Sequence, residues 1–188
     1  MDPTAELRER DALLDRIRPH ADAVGLIALT MDDAARAGGI TTETLRSYFP
    51  AKEDLVVALI ARNRIKLRTV FSRLDVDLSS DAFRRQMWSF YAETMNDSLL
   101  FFEAYALALR DERYDAFLHG VNDWLVLLRD ALVRRGISTE RADAFATLTL
   151  AVYRGAMLDF CATRERGRVN AAMELWFTAA AWLTDPDT

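Results

Sequence analysis

The stretch AARAGGITTETLRSYFPAKEDL, residues 34–55, decides how the rest of this sequence is interpreted. A glycine pair, Gly38 and Gly39, separates two short segments of helical character. Glycine adopts the positive φ angles and close backbone approaches that a tight turn between helices needs. Two short helices joined in this way have the geometry in which one helix enters the major groove of DNA while the other braces it.

The segment after the glycine pair has an outer face suited to DNA. It carries four short hydroxyl side chains that can contact phosphates or base edges, Thr41, Thr42, Thr44 and Ser47. Arg46 lies among them and can pair with guanine or a phosphate. Leu45 and Phe49, four residues apart, are expected to face inward and hold the helix in place. An ordinary helical hairpin with solvated threonines would show the same spacing.

Composition favours a helical globular protein. The chain has 188 residues, of which 51% are hydrophobic, with 7 glycines and 4 prolines. The alternation of β-branched residues that is typical of strands is nearly absent. We therefore predict an all-α protein of about nine helices with short connections. Pro19 interrupts the first amphipathic segment, where a proline normally kinks or ends a helix.

Charge and cysteine content exclude several classes of protein. The net charge of -5 argues against nonspecific nucleic-acid binding by the whole surface, and residues 1–55 hold seven basic and eleven acidic side chains. The single cysteine, Cys161, rules out an intramolecular disulfide and a cysteine-cluster metal site, and a buried, inert thiol is expected. The polar N-terminus is unlike a signal peptide, and no apolar run approaches the roughly 20 residues of a membrane span. We expect a cytoplasmic protein without a membrane partner.

Residues 30–55, TMDDAARAGGITTETLRSYFPAKEDL, resemble the N-terminal helix-turn-helix of tetracycline-repressor-like (TetR) transcription regulators. The YFPAKEDL ending is the most specific part, and Gly25 falls where the first helix of that family ends. The resemblance implies a three-helix DNA-binding domain, residues 1–54, followed by a larger effector-binding and dimerisation bundle, residues 55–188. It also implies a ligand-responsive regulator, usually a repressor, that binds a palindromic double-stranded DNA operator as a homodimer.

The DNA-binding residues expected from the helix face and the matching segment are Thr30, Arg36, Thr41, Thr42, Thr44, Arg46, Ser47, Tyr48 and Lys52. The sequence departs from the family pattern at several positions in and before this segment. Glu43 stands where a glycine is usual, and Arg46 replaces a tyrosine that typically touches phosphate. Ala34 replaces a large aliphatic residue, Gly38 an alanine, and residues 19–21 a bulky apolar part of the first helix.

Residues 83–128 concentrate aromatic and methionine side chains, which form either a plain core or a cavity for an apolar ligand with a few polar atoms. The polar groups most suited to orient such an effector are Glu103, His119 and Asn122. The predicted effector-binding residues are Met87, Trp88, Tyr91, Met95, Phe102, Glu103, Tyr105, Phe117, His119, Val121, Asn122, Trp124, Tyr153 and Met157.

The last two predicted helices carry apolar residues on more than one side, which favours a four-helix seam between two subunits over a monomer with buried terminal helices. The resemblance to the TetR family implies the same. The predicted dimer interface comprises Phe145, Leu148, Val152, Ala156, Leu175, Trp176, Ala179 and Leu183.

Two other classes of protein remain as alternatives. An enzyme is disfavoured because the chain has only two histidines, His20 and His119, and lacks the common hydrolase, metalloprotease and nucleotide-binding motifs. We therefore predict no catalytic residue, metal or cofactor. The second alternative is a TetR-shaped protein that binds a small molecule but has lost sequence-specific DNA binding. Glu43, Pro19 and the low positive charge favour it, and the intact YFPAKEDL segment opposes it.

Overall fold

The computed structural model describes residues 3–72, 80–93 and 95–185, and for residues 3, 63–72, 91 and 95–98 it describes the helical backbone alone. The described residues form nine α-helices and one 3-10 turn at Glu112–Tyr114, without a strand, which confirms the predicted all-α fold. The helices are α1 Pro3–Val24, α2 Met31–Gly38, α3 Thr42–Tyr48, α4 Lys52–Ser72, α5 Asp81–Glu93, α6 Met95–Ala108, α7 Asp115–Arg134, α8 Thr139–Thr163 and α9 Arg166–Leu183.

The chain divides into two compact units. The first, unit 1, comprises residues 1–73 and 99–118, and the second, unit 2, comprises residues 74–98 and 119–188. The predicted domain boundary at residues 54 and 55 lies in the first turn of α4, which continues across it without interruption. Leu55, Val56 and Leu59 of α4 are buried in the same core as α1 to α3, so the beginning of α4 belongs with the helix-turn-helix.

The core of unit 1 begins with the apolar face of α1. Leu14, Ile17 and Ala21 on this face are almost completely buried, and α1 continues through Pro19 instead of ending there. An interior proline costs about 3 kcal/mol, while burial of a single large aliphatic side chain contributes about 1.5–3 kcal/mol. Because buried residues lie on both sides of Pro19, packing outweighs the lost backbone hydrogen bond and the helix persists.

The connection between α2 and α3 shows how the glycine pair is used. Gly39 alone has a positive φ, 69°, and its N–H caps α2 by donating to Arg36. Gly38 is the last residue of α2 and is buried, where an added Cβ would lie 2.6 Å from a methyl group of Leu13. The glycine pair therefore supplies both properties expected of it, one from each residue: Gly39 has the positive φ, and Gly38 allows the close approach of α1.

Unit 2 has a core of its own, formed by α5, α8, α9 and the part of α7 that follows residue 118. Phe145, Tyr153, Met173 and Phe177 are buried in it. Among the described helices, α8 is long and apolar enough to cross a membrane by length and composition alone, although no segment of that kind is expected from the sequence. One third of its most apolar window is buried in the protein, and a core helix passes the same test.

Candidate nucleic-acid interface and effector site

The recognition helix α3 is held by its inward face and exposes its hydroxyl face. Leu45 and Phe49 are completely buried, as predicted. Thr41, Thr44 and Ser47 are exposed. Thr41 is the N-cap of α3, and its side-chain oxygen accepts from the N–H of Thr44 at 3.1 Å. An N-cap threonine satisfies a helix N–H that would otherwise have no partner, which stabilises a helix of only two turns.

The hydroxyl groups of this face are already ordered by internal hydrogen bonds. The hydroxyls of Thr41 and Thr44 are 2.9 Å apart, and Ser47 donates to the carbonyl of Thr44 at 2.7 Å. Thr42 is half-buried and donates to Asp32 of α2 at 2.8 Å, so this bond joins the two helices of the motif. Each hydroxyl has one donor and two acceptor positions, so these groups retain capacity for a further partner.

The cations near this face also have partners within the chain. Arg36 is exposed and pairs with Asp33 at 2.9 Å, and Arg46 donates to the carbonyl of Pro50 at 3.3 Å. The ammonium group of Lys52 donates to the carbonyl of Ile27 at 2.6 Å. Lys52 therefore braces the α1–α2 connection, whereas Arg36 and Arg46 lie at the exposed surface of the motif.

Two further predicted DNA-binding residues have structural partners. Thr30 is the N-cap of α2: its oxygen accepts from the N–H of Asp33 at 3.1 Å, and its hydroxyl donates to the Asp33 carboxylate at 2.6 Å. That hydrogen bond from Thr30, with the nearby charge of Arg36, lowers the pKa of Asp33 below its usual value. Burial and a hydrogen bond with Glu9 raise the pKa of the half-buried Tyr48, so its hydroxyl is directed towards α1.

The exposed surface of α2 and α3, which would face DNA, is therefore not strongly basic. Its exposed side chains include the carboxylates of Asp32 and Glu43 together with the guanidinium groups of Arg36 and Arg46. Sequence reasoning identified the hydroxyl face, but it could not show that Lys52 is engaged by the carbonyl of Ile27, which lies 25 residues away along the chain.

In unit 1, the predicted effector residues Phe102, Tyr105 and Phe117 belong to an aromatic cluster. Phe101 is at its centre, with ring centroids 5.5 Å from Phe102, 5.9 Å from Tyr105 and 5.3 Å from Phe117. All four are half-buried. Glu103 is different: its carboxylate accepts hydrogen bonds from the backbone N–H groups of Leu26 and Ile27, so it contacts the connection between α1 and α2.

In unit 2, four predicted effector residues are buried core residues: Met87, Trp88, Tyr153 and Met157. Trp88 donates to the side-chain oxygen of Asn170 at 2.8 Å, and Tyr153 donates to the backbone carbonyl of Arg84. Val121 and Trp124 are half-buried, whereas His119 and Asn122 are exposed. The side chains of Tyr91 and Met95 lie outside the described residues. The effector site remains a prediction.

Helices α8 and α9 of unit 2 expose an apolar face. Leu148, Leu158, Leu175 and Trp182 are exposed by 45%, 53%, 75% and 63%. Ala179 is also exposed, and Val152, Ala156 and Leu183 are half-buried. Phe145 is instead buried, with Trp176 stacked on it at a centroid distance of 5.7 Å. We name Leu148, Leu158, Leu175, Ala179 and Trp182 the α8–α9 face.

Leu158 and Trp182 of the α8–α9 face were not among the predicted interface residues. For Trp182 the spacing contained the signal, since Trp182 follows Leu175 by seven residues, an interval that returns to the same side of a helix. Leu158 follows Leu148 by ten residues, which places it about 80° away around a helix of 3.6 residues per turn, so its spacing did not indicate the same side.

No family model and no curated protein sequence matches this chain. Solved structures do match it. A TetR-family transcriptional regulator from Agrobacterium tumefaciens has a TM-score of 0.73 and 20% identity, covering 92% of this chain and 97% of that one. A TetR-family regulator from Cytophaga hutchinsonii has a TM-score of 0.72 and 17% identity, covering 93% and 94%.

A third solved structure is the transcriptional regulator FadR from Bacillus subtilis in complex with stearoyl-CoA. It has a TM-score of 0.60 and 14% identity, and the match covers 96% of this chain and 98% of that one. Because these matches span nearly the full length of both chains, they concern the whole architecture and not the helix-turn-helix alone. This chain has the fold of the TetR-family transcriptional regulators.

Proposed function

We propose that this protein is a cytoplasmic transcriptional repressor without catalytic activity, which binds a palindromic operator as a homodimer and is released by a small apolar or amphipathic effector. The observation that carries the proposal is the exposed hydroxyl face of α3. It stands on two fully buried anchors, Leu45 and Phe49, in the fold that the TetR-family regulators share. A rigid short helix with an exposed polar face is what insertion into a major groove requires.

The α8–α9 face supports the homodimer. Large apolar side chains exposed on two helices that pack together, as on α8 and α9, are typical of an interaction site, and two-fold pairing lets the same face cover itself. A symmetric dimer presents two copies of α3. Helix-turn-helix dimers read half-sites about 34 Å apart, one turn of the duplex, and the two-fold symmetry of such a dimer makes the operator palindromic.

The charges near α3 set the salt dependence of binding. Arg36 and Arg46 are the exposed cations of the motif, so a dimer offers four. Release of about 0.9 counterions for each phosphate neutralised gives a slope of log affinity against log salt of about -4. This slope is shallow for a DNA-binding protein, and a much steeper slope would show that other cations dominate.

The test is selection of bound genomic fragments by the purified full-length protein, followed by fluorescence anisotropy on the recovered site. Thr44→Ala and Arg46→Ala should each weaken binding about tenfold, as expected when a side chain worth about 1–3 kcal/mol is lost. Arg110→Ala in unit 1, outside the motif, is the matched control and should leave binding unchanged. Recovery of fragments without a shared palindrome would refute the proposal that the protein is a regulator that binds a palindromic operator.

The dimer is tested with Leu175→Glu. A charge placed at the most exposed leucine of the α8–α9 face should convert the dimer to a monomer in sedimentation equilibrium, because buried unpaired charges are costly. Leu109→Glu, at an exposed leucine of unit 1, is the control and should remain dimeric. If the wild-type protein sediments as a monomer at micromolar concentration, the proposed assembly is wrong.

The effector class rests on the aromatic cluster of unit 1 and on the stearoyl-CoA complex of the structurally similar FadR. Stearoyl-CoA is therefore the first probe for release of the selected DNA fragment, with free coenzyme A as the control. Release by stearoyl-CoA alone would support an effector with a long apolar part. The failure of both, together with several unrelated apolar compounds, would argue against a ligand-responsive regulator.

A TetR-shaped small-molecule-binding protein without DNA recognition is the second candidate. It is favoured by the carboxylates of Asp32, Asp33 and Glu43 beside the reading surface, because carboxylates repel phosphates. Fragment selection also separates these two functions. An enriched palindrome would exclude the second candidate, and tight binding of an apolar ligand without any enriched DNA would support it.

A further inference from the structure

The connection between α1 and α2 is held by side chains from two other helices of unit 1. The N–H groups of Leu26 and Ile27 both donate to Oε2 of Glu103 on α6, with a distance of 3.3 Å for Ile27. The carbonyl of Ile27 accepts from the ammonium group of Lys52 on α4 at 2.6 Å. Three polar groups of one short turn are therefore bound by a carboxylate and an ammonium group distant in sequence.

The backbone of this turn is shaped to receive an anion. Gly25 has φ of +85°, a left-handed conformation that directs the next N–H groups towards the same side of the chain. Successive N–H groups arranged in this way form a concave site for an anion. Hydrogen bonds from N–H groups to a carboxylate are charge-assisted, and they are stronger than those between neutral groups.

Glycine at position 25 is required for a second reason. A Cβ built there would lie 2.9 Å from Oε2 and even closer to Oε1 of Glu103. A side chain at this position would therefore displace the carboxylate, apart from the strain of its backbone angle. The absence of a side chain at residue 25 and the carboxylate at residue 103 are complementary features, separated by 78 positions in the sequence.

The α1–α2 turn also positions helices α2 and α3, which form the helix-turn-helix. Leu26 and Leu29, on either side of Ile27, are almost completely buried in the core of unit 1, and α2 begins two residues after Leu29. The hydrogen bond from Thr42 to Asp32 then joins α2 to α3. A continuous set of contacts therefore runs from Glu103 through the turn to the recognition helix.

We propose that Glu103 is a positioning residue through which α6 fixes the α1–α2 turn and, through it, the α2–α3 pair. This inference rests on the proposed function and replaces the predicted role of Glu103 in orienting an effector. Phe102 and Tyr105 flank Glu103 on α6 and belong to the aromatic cluster. Any ligand that displaces α6 through these rings changes the hold of Glu103 on the turn, and with it the orientation of α3.

The first experiment measures the amide protons of Leu26 and Ile27 in the full-length protein by NMR. Both resonances should shift together in Glu103→Gln relative to the wild type, because both N–H groups donate to the same carboxylate oxygen. Amide exchange at these two positions should become about tenfold faster in Glu103→Gln, because the charged acceptor is lost. Glu112→Gln, which removes the same charge from an exposed position of unit 1, is the control and should change neither quantity.

The second experiment measures affinity for the operator fragment selected by the wild-type protein. Glu103→Gln should bind it about three- to tenfold more weakly, while α8 and α9 retain their amide protection, and Glu112→Gln should bind normally. Glu103→Asp keeps the charge but is one methylene shorter, and it should fall between the wild type and Glu103→Gln.

The outcomes separate this inference from the proposed function. Unchanged Leu26 and Ile27 amides in Glu103→Gln would overturn the positioning role, whatever the DNA result. Altered amides with unchanged operator affinity would overturn the coupling to α3. If the wild-type protein selects no DNA, the proposed function fails. The coupling between Glu103 and the α2–α3 pair is then tested by amide exchange in α2 and α3. This exchange must be faster in Glu103→Gln than in the wild type for the inference to stand.

Discussion

Alanine substitutions at Gly25 and Gly39 should differ strongly in their cost, although both glycines have a positive φ. Placing alanine in the left-handed region costs about 1–2 kcal/mol at either position. At Gly39, whose φ is +69°, an added Cβ meets no atom within 4 Å, so that cost is all that is expected. At Gly25 the Cβ also collides with the carboxylate of Glu103, which must withdraw from the two N–H groups that it binds.

The additional cost at Gly25 follows from those two hydrogen bonds. A bond to a charged group contributes about 1.5–3 kcal/mol when it is well protected, and water can replace part of it around the half-buried Glu103. We therefore expect about 2 kcal/mol beyond the backbone strain, which gives about 3–4 kcal/mol for Gly25→Ala against about 1–2 kcal/mol for Gly39→Ala.

Urea unfolding followed by circular dichroism measures these free energies, provided that the slope of the transition is unchanged between variants. Amide exchange within α1 to α4 gives the loss of stability specific to unit 1. In a Glu103→Ala background, the cost of Gly25→Ala should fall to that of Gly39→Ala, a coupling of about 2 kcal/mol. Equal costs at the two glycines, or a cost at Gly25 that is insensitive to removal of the carboxylate, would refute the reasoning.

Three further predictions concern other parts of the molecule. Arg62 pairs with Asp11 at 2.8 Å and with Asp15 at 2.9 Å, so Arg62→Met should lower the free energy of unfolding by about 1–2 kcal/mol. Because Asp15 above all raises the pKa of Arg62, the guanidinium group stays charged, and urea titrations should give the same loss between about pH 6 and pH 10. Burial raises the pKa of the Cys161 thiol despite the opposing charge of Arg164, so alkylation near pH 8 should be slower than that of a free thiol, and a rate profile with a lower midpoint would contradict this. Asn170→Ala removes the acceptor of Trp88 and should cost about 1–3 kcal/mol in thermal unfolding, whereas Asn122→Ala, an exposed control, should cost little.

Local sequence signals were sufficient for the helix-turn-helix. The positions of Leu45 and Phe49, four residues apart, correctly predicted the buried side of α3, because side-chain periodicity in a helix is a local property. The N-caps are local in the same way, since Thr30 and Thr41 each accept from an N–H group three residues further along the chain.

Features that depend on distant contacts could not be obtained in this way. Pro19 signals a helix end locally, but the buried residues on both sides of it keep α1 continuous. Lys52 and Glu103 have side chains suited to DNA and to an effector, yet both bind the turn around Ile27, at distances of 25 and 76 residues along the chain. A charged side chain shows which chemistry it offers, whereas its actual partner is set by the tertiary fold.

The internal hydrogen bonds of Thr41, Thr44 and Ser47 have a consequence for the thermodynamics of any duplex docked on α3. Immobilising a freely rotating side chain at an interface costs about 0.5–1.5 kcal/mol. These three hydroxyls are restricted to defined rotamers before contact, so association would sacrifice little additional side-chain entropy. A docked duplex would therefore contact a preordered surface, which distinguishes base sequences by shape complementarity without first changing its own side-chain conformations.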